Sequence, residues 1–323
     1  MVEGGLLAQL AASRALIEKG EPQAAVEAAR ETAHLYPNIA AVALALGQAL
    51  MAAGHLPTAI AEFQRALRID PALDDARFAI GCAWLEAGEA QKALEAFAQL
   101  EETPDVFAKM TQANEMLTRP RSDAGYVRHL FDQFSADYDA RMIGQLGYQA
   151  PRILRELADL VIQPPAKLRV LDLGCGTGLS GAAFKDIAVR LDGIDLSPRM
   201  IEKARARGIY DSLKVADLET ALDGEAQYDL VLAADTIVYV GDMDATLAAA
   251  HRALTPDGFF LFTVEKKDGE GFELETTRRW RHSETYLRAR AAHAGFKICG
   301  FVECSPRSEA GVPVDGFALA LQR

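Results

Sequence analysis

Through the first hundred residues apolar side chains recur every three or four positions, which predicts amphipathic helices. In "AAVALALGQALMAAGHLPTAIAEFQRALRIDP", Leu46, Gly47 and Leu50 mark one helix, Ala59, Phe63 and Ala66 mark the next, and Asp70-Pro71 ends it. The pattern itself recurs. Gly20, Gly54 and Gly88 stand 34 residues apart, and Ala25, Ala59, Ala93 and the pair Pro37, Pro71 keep the same offset. A sustained period of this length predicts stacked units of one helix–turn–helix type. The small residues Gly47, Gly81, Ala59 and Ala93 fall where two helices must pack closely. Gly54 and Gly88 fall where the first helix of a pair must end in a left-handed residue. Thr103-Pro104-Asp105 opens a further helix to about Leu117, which would cover the last unit's apolar face. The polar stretch 118–123 then reads as a linker.

Beyond it the period changes. Strands are predicted at 168–173, 190–195, 213–217, 228–234, 258–264, 296–303 and 314–322, and helices at 126–137, 148–161, 179–187, 198–207, 243–253 and 283–294. Such alternation predicts a mostly parallel sheet covered on both faces. Only the loop 304–311 separates the last two strands, too short for a parallel crossover, so they form an antiparallel hairpin.

Composition narrows the partners. Half the residues are apolar and a quarter charged, and the net charge is -12. Residues 1–118 hold 16 acids and 8 bases, and residues 119–323 hold 30 and 26, so neither part offers the basic face that nucleic acid demands. Cys82, Cys175, Cys299 and Cys304 make no C-x-x-C pair and no metal-ligand spacing, which argues against disulfides and zinc. The amino terminus lacks a basic lead and is broken by Arg14, Glu18 and Lys19. No run reaches the roughly 20 apolar residues of a membrane span. The expectation is a cytoplasmic protein with no membrane partner.

"VLDLGCGTGLS" (residues 170–180) carries the chemistry. A P-loop would need a lysine after its glycines, and a dinucleotide fingerprint would need Gly at 179, where Leu stands. What remains is Asp172-x-Gly174-x-Gly176-x-Gly178, an acid at a strand's end before a tight glycine turn. That suits a ligand bringing positive charge and no pyrophosphate, and S-adenosylmethionine is such a ligand. Glycine allows close backbone approach, and the helix starting near Leu179 offers free N–H groups. Asp195 ends the second strand, 21 residues beyond Gly174, where a carboxylate can accept both ribose hydroxyls. Asp217 ends the third, placed to accept from the adenine amino group while Leu218 packs on the ring.

These motifs, with "GIDLSPRMIEKA", "ADLET", "YDLVLAADTIVYV" and "RALTPDGFFLFTVE" following in family order, resemble the class I S-adenosylmethionine-dependent methyltransferases over residues 125–323. The first part, from residue 6 to about 105, resembles tetratricopeptide repeats. Its first repeat departs from the family with Ser13 and Ala29, where Gly and an aromatic are usual, and so reads as a cap. The resemblance implies an α/β, Rossmann-like, seven-stranded sheet, mostly parallel with an antiparallel last hairpin, in residues 119–323. An all-α tetratricopeptide solenoid in residues 1–118 would precede it. The implied cofactor site holds Tyr138, Asp172, Gly174, Cys175, Gly176, Asp195, Leu196, Met200, Asp217, Leu218 and Ala234. Cys175 contributes only its backbone, Gly178 serves helix packing or ligand contact, and Asp172 either touches cofactor or orients the loop.

For methyl transfer the candidate residues are Asp235, Tyr239 and His282. Asp235 would hold the cofactor ammonium or an acceptor N–H, or cap the next helix. His282 would act as a base for a hydroxyl acceptor or pack structurally, with Arg278, Arg279 and Arg281 holding a substrate anion. No Asn/Asp-Pro-Pro-Tyr/Phe motif follows the fourth strand, which argues against a nucleic-acid base as acceptor. Three whole-protein readings follow. The first is a methyltransferase for a small molecule or protein side chain, whose repeats dock a protein or peptide or drive oligomerisation. The others are an inactive cofactor-binding assembly protein and an RNA methyltransferase.

Overall fold

The computed structural model describes residues 2–118, 120–162, 167–222 and 227–323. The chain forms two compact units, Met1–Arg119 and Pro120–Arg323. The first consists, among the described residues, of seven helices: α1 (Val2–Glu18), α2 (Pro22–Leu35), α3 (Ala40–Ala52), α4 (Leu56–Ile69), α5 (Asp74–Glu86), α6 (Ala90–Phe97) and α7 (Pro104–Thr118).

The 34-residue recurrence is a recurrence of local structure. α1, α3 and α5 each end with glycine at positive φ, +77° at Gly20, +76° at Gly54 and +71° at Gly88. After α3, Gly54 N–H donates to Met51 O at 3.0 Å and His55 N–H to Leu50 O at 2.8 Å. The same two bonds follow α1 and α5. This is a Schellman ending, which satisfies two carbonyls the helix leaves open and turns the chain into the next helix. Within α3, Gly47 faces the buried ring of Phe63 on α4, and Gly81 on α5 faces Phe97 on α6, each without room for a Cβ. In the first pair Ser13 occupies the glycine's place and Ala29 the aromatic's, and the Ser13 hydroxyl donates to Ala25 O at 3.3 Å. Val106 and Ala113 of α7 bury against the cluster that holds Leu85, Ala93 and Phe97.

The second unit runs α8 (Ala124–Phe134), α9 (Tyr138–Gly144), α10 (Ala150–Val161), β1 (Leu168–Leu173), α11 (Leu179–Phe184), β2 (Ala188–Asp195), α12 (Pro198–Ala206), β3 (Ser212–Val215), α13 (Leu218–Ala221) and β4 (Tyr228–Ala233). A 3-10 turn (Ile237–Tyr239), α14 (Asp244–Ala253), β5 (Leu254–Lys266), β6 (Phe272–Leu274), β7 (Trp280–His282), α15 (Glu284–His293), β8 (Lys297–Cys304), β9 (Ser308–Glu309), β10 (Val312–Pro313) and β11 (Gly316–Gln322) complete it. The main sheet has the order β3-β2-β1-β4-β5-β11-β8. β1 to β5 are parallel, and β11 pairs antiparallel with β5 and with β8, which gives the expected closing hairpin. β11 lies between β5 and β8, and its "GFALAL" is buried on both faces, Phe317, Leu319 and Leu321 in one core cluster and Ala318 and Ala320 in another.

Three expectations are corrected. The single helix predicted over 126–137 is broken into α8 and α9. β3 stops at Val215, because Asp217 turns the chain by capping α13 through the Glu219 N–H at 2.9 Å. The helix predicted over 283–294 is present as α15, with Ser283 accepting from Tyr286 N–H at 3.2 Å, and just before it Trp280–His282 form the short strand β7, which joins the end of β5 and pairs with β6. The stretch read as a linker also carries structure from Pro120 onward: Pro120 O accepts from Gly241 and Asp242 N–H, both at 2.8 Å.

Candidate functional site

Strand order reverses between β1 and β4, and in open α/β sheets ligands bind outside the carboxyl ends of strands at such a point. A cleft lies there. Tyr138, Gly174, Gly176, Asp195, Leu196, Leu218, Ala234, Asp235 and Tyr239 line it, together with Phe131 and with Arg121, Ser122 and Thr236, to which the sequence assigned no role in the site.

The glycine turn is built from β1 outward. Cys175 N–H donates to Ile194 O at 2.9 Å, pinning the turn to the end of β2. Gly174 sits at φ +65° against the Thr236 side chain and has no space for a Cβ. Gly176, at φ +53°, meets only the Tyr138 ring, 3.9 Å from where a Cβ would stand, so its backbone is open to the cleft. Gly178 packs on Arg207 and Tyr210 as the first residue before α11, which is the packing role.

Asp195 ties turn to strand. Its Oδ2 accepts from Gly176 N–H at 2.9 Å and its Oδ1 from Ser197 N–H at 2.8 Å. Burial pushes its pKa up to about 6, opposed by those two backbone donors. Each carboxylate oxygen has a second lone pair, so further hydroxyl donors would relieve a charge that burial disfavours. A side-chain-free backbone at Gly176 beside an acceptor-rich acid fits a nucleoside with an amino-acid tail. The cofactor would be held by Gly174, Gly176 and Asp195, with Leu196 and Leu218 as apolar walls.

Tyr138 caps this floor. Its ring meets Phe131 edge-on at 6.1 Å, and Phe131 meets Tyr239 at 5.7 Å. Burial, with Asp235 and Asp195 nearby, holds the Tyr138 hydroxyl far above its ordinary pKa, so it stays a neutral donor. The Asp139 carboxylate accepts from the Thr177 hydroxyl at 2.5 Å and pairs with Arg207, clamping α9 to the glycine turn.

Asp235 follows β4 in a left-handed conformation, φ +56°, with its N–H donating to Thr263 Oγ1 at 2.8 Å. Its Oδ1 pairs at 2.5 Å with Arg307, a fully buried guanidinium that also meets Glu265 and Glu309. Burial raises the Asp235 pKa while Arg307 opposes the rise. Arg307 reaches the site from the loop between β8 and β11, where a lone arginine amid polar residues gives no sequence signal.

Other expected residues lie elsewhere. Asp172 is wholly buried beneath the turn, bound to the Tyr210 hydroxyl at 2.7 Å, and so orients the loop. Cys175 and Met200 are buried behind the site and do not line it. Asp217 has its carboxylate on Glu219 N–H and Arg121 and does not itself line the cleft. His282 is a core residue: fully buried, with Nε2 2.9 Å from Gly241 O and its pKa lowered by burial to about 4, it does not reach the cleft. Arg279 pairs with Glu309 and Arg281 with Glu275. Among the described residues no cluster of three or more His, Cys, Asp or Glu could hold a metal ion, and no helix is long and apolar enough to cross a membrane.

Residues 139–299 match the family described as "Methyltransferase domain". Human methyltransferase-like protein 27 is 33% identical over 133 residues, covering 40% of this chain and 52% of its own. The malonyl-[acyl-carrier protein] O-methyltransferase of Pseudescherichia vulneris is 29% identical over 163 residues, covering 50% and 61%. The chain thus spans about half the length of these curated relatives. The [4+2]-cyclase SpnF shares the fold at 18% identity and a TM-score of 0.53, over 64% of this chain and 98% of that one. From the motifs, the strand order, the cleft at the switch point and the family match, residues 120–323 form a class I S-adenosylmethionine-dependent methyltransferase domain.

Proposed function

We propose that the protein transfers a methyl group from S-adenosylmethionine to an acceptor on a small molecule or a protein, by in-line displacement. The observation that carries the reading is the Asp195 carboxylate, buried at the cleft floor and bridging the Gly176 and Ser197 N–H groups. When bound, the cofactor supplies an electrophilic methyl, and its transfer leaves the C–S electron pair on sulfur as a neutral thioether. Asp195 fixes the ribose, and the bare backbone at Gly176 admits the amino-acid tail. Tyr138, clamped through Asp139, excludes water from above. Asp235 faces the cleft with its charge balanced by Arg307. It orients an acceptor O–H or N–H and takes its proton where the acceptor arrives protonated. Alignment of this kind supplies roughly 7–11 kcal/mol in favourable cases, without a covalent intermediate. That a relative is named an O-methyltransferase supports an oxygen acceptor.

The helical unit is proposed to be a short tetratricopeptide array that docks a protein or peptide partner. Support comes from the Schellman glycines at a 34-residue interval and the Gly47/Phe63 and Gly81/Phe97 pairs. The test is label transfer: purified protein with methyl-labelled S-adenosylmethionine in a cell lysate should label an acceptor, and Asp195→Ala should not. No label transfer, with no heat on titration with S-adenosylhomocysteine, would overturn the reading.

A further inference from the structure

The rim of the cleft between the ends of β3 and β4 is made by a segment of chain that precedes every element of the methyltransferase domain. Arg121 forms an antiparallel bridge with Val240, Ser122 N–H donates to Tyr239 O at 2.9 Å, and Pro120 O accepts from Gly241 and Asp242 N–H. Gly241 has no space for a Cβ, since Trp280 and Pro120 O fill that position at 2.5 and 2.7 Å. The strap is therefore fixed. It delivers the Arg121 guanidinium to the cleft wall beside Ala216 and Leu218.

There the guanidinium is held by two acids. One nitrogen pairs with Asp217 Oδ2 and the other with Glu219 Oε2 at 2.6 Å, while Asp217 Oδ1 is occupied by the Glu219 N–H. Asp217 and Arg121 each remain one-fifth exposed. The sequence pointed to Asp217 for the adenine amino group and Leu218 for the ring; in the structure Arg121 and Leu218 stand on the cleft wall and Asp217 does not.

We infer that Arg121, anchored by Asp217 and Glu219, is the residue that selects the adenine of the cofactor. This rests on the reading of the cleft as an S-adenosylmethionine site. Arg121, held in direction by Asp217 and Glu219, presents its remaining N–H donors at the cleft wall. Adenine offers a ring nitrogen acceptor at N1 to meet such a donor. Hypoxanthine carries an N1–H there, so donor would face donor. A site built on directed hydrogen bonds rejects an analogue that leaves its polar groups facing like groups. The planar fork of arginine is needed for this, because a lysine ammonium would keep the charge and lose the fixed direction.

The experiment is calorimetric titration of the full chain, with S-adenosylhomocysteine and with its hypoxanthine counterpart, S-inosylhomocysteine. Wild-type protein should prefer the adenine ligand by at least about tenfold. Arg121→Ala and Arg121→Lys should each weaken S-adenosylhomocysteine while leaving S-inosylhomocysteine nearly unchanged, so that the preference falls toward unity. Thermal melting of each variant shows that its fold is kept. An adenine preference that survives both substitutions, or equal loss of both ligands, overturns the inference while leaving the cofactor site standing. Wild-type protein that binds neither ligand overturns the site reading and this inference with it.

Discussion

Tyr210 donates its hydroxyl to Oδ2 of Asp172 from a slot walled by Gly178, Gly181 and Gly193, none of which has room for a Cβ beside the ring or the hydroxyl. Gly193 lies opposite Asp172 in the β1–β2 register, so the slot is cut into the sheet itself. Asp172 thereby supports the turn that makes the cofactor floor while touching nothing in the cleft. Its Oδ1 is buried without a hydrogen-bond partner, and burial pushes its pKa up to about 7, against the Tyr210 hydrogen bond.

A raised acid pKa in the folded state means that the folded chain binds this proton more tightly than the unfolded chain. Stability from protonated Asp172 is therefore full below the unfolded value of 3.8 and is lost as pH rises through about 7. Asp172→Asn keeps an acceptor for Tyr210 and removes the charge. The variant should be more stable than wild type at pH 8, with the gap closing by pH 4, in urea titrations at both pH values. Tyr210→Phe should destabilise by about 1–3 kcal/mol at neutral pH, since it strips a buried carboxylate of its donor.

Cofactor binding should carry its own pH dependence. Ribose hydroxyls are donors and favour ionised Asp195, whose pKa in the free protein is about 6. Affinity for S-adenosylhomocysteine should be flat above pH 7 and fall by roughly tenfold per unit well below the pKa, by calorimetry. Asp195→Ala should weaken binding by roughly a hundredfold, given the worth of hydrogen bonds to a charged group. A flat profile from pH 8 to 5 would contradict the assignment.

In the helical unit, Gly47→Ala should cost about 1–3 kcal/mol by overpacking, although alanine is the better helix former, because the new methyl meets the Phe63 ring. The first helix pair supplies the remedy, carrying Ser13 with Ala29. Gly47→Ser combined with Phe63→Ala should thus recover part of the loss of Gly47→Ser alone, a coupling read from a double-mutant cycle. Gly54→Ala has open space around it and is opposed only by φ +76°, so its cost of about 1 kcal/mol should resist any rescue at position 63.

What the sequence disclosed follows a simple physical division. Patterns that repeat or alternate were readable: the 34-residue interval, the mostly parallel sheet and closing hairpin implied by alternation, and the glycine turn with Asp195 at its neighbour's end. Local capping was readable too, at Ser283, because a cap and the groups it satisfies are adjacent in sequence. Partners distant in sequence were not. Nothing near residue 235 announces Arg307, 72 positions away, and nothing near 217 announces Arg121. His282 was open between a base and a packed residue, and only the strand that carries it, which buries it, decides for packing. Asp217 was placed on the right loop, yet its carboxylate already had a guanidinium partner.

Arg307 offers the most demanding test of the acceptor side. It is fully buried and neutralises Asp235 and Glu265 together, with Glu309 at the margin. Removing the cation from a buried pair leaves an uncompensated charge, so Arg307→Met should destabilise the domain by about 3–5 kcal/mol near neutral pH. Asp235 has a raised pKa even with Arg307 present, and without it the carboxyl rises further. The variant should therefore regain stability relative to wild type as pH falls, when protonation takes the place of the missing cation. Asp235→Asn introduced into Arg307→Met should recover part of the loss for the same reason, although Asp235→Asn alone leaves Arg307 with one acid fewer. Denaturant titrations of the four proteins at pH 8 and pH 5 decide it. Additive losses at both pH values would mean that Asp235 and Arg307 act independently, and the charge balance assigned to the acceptor side of the cleft would have to be abandoned.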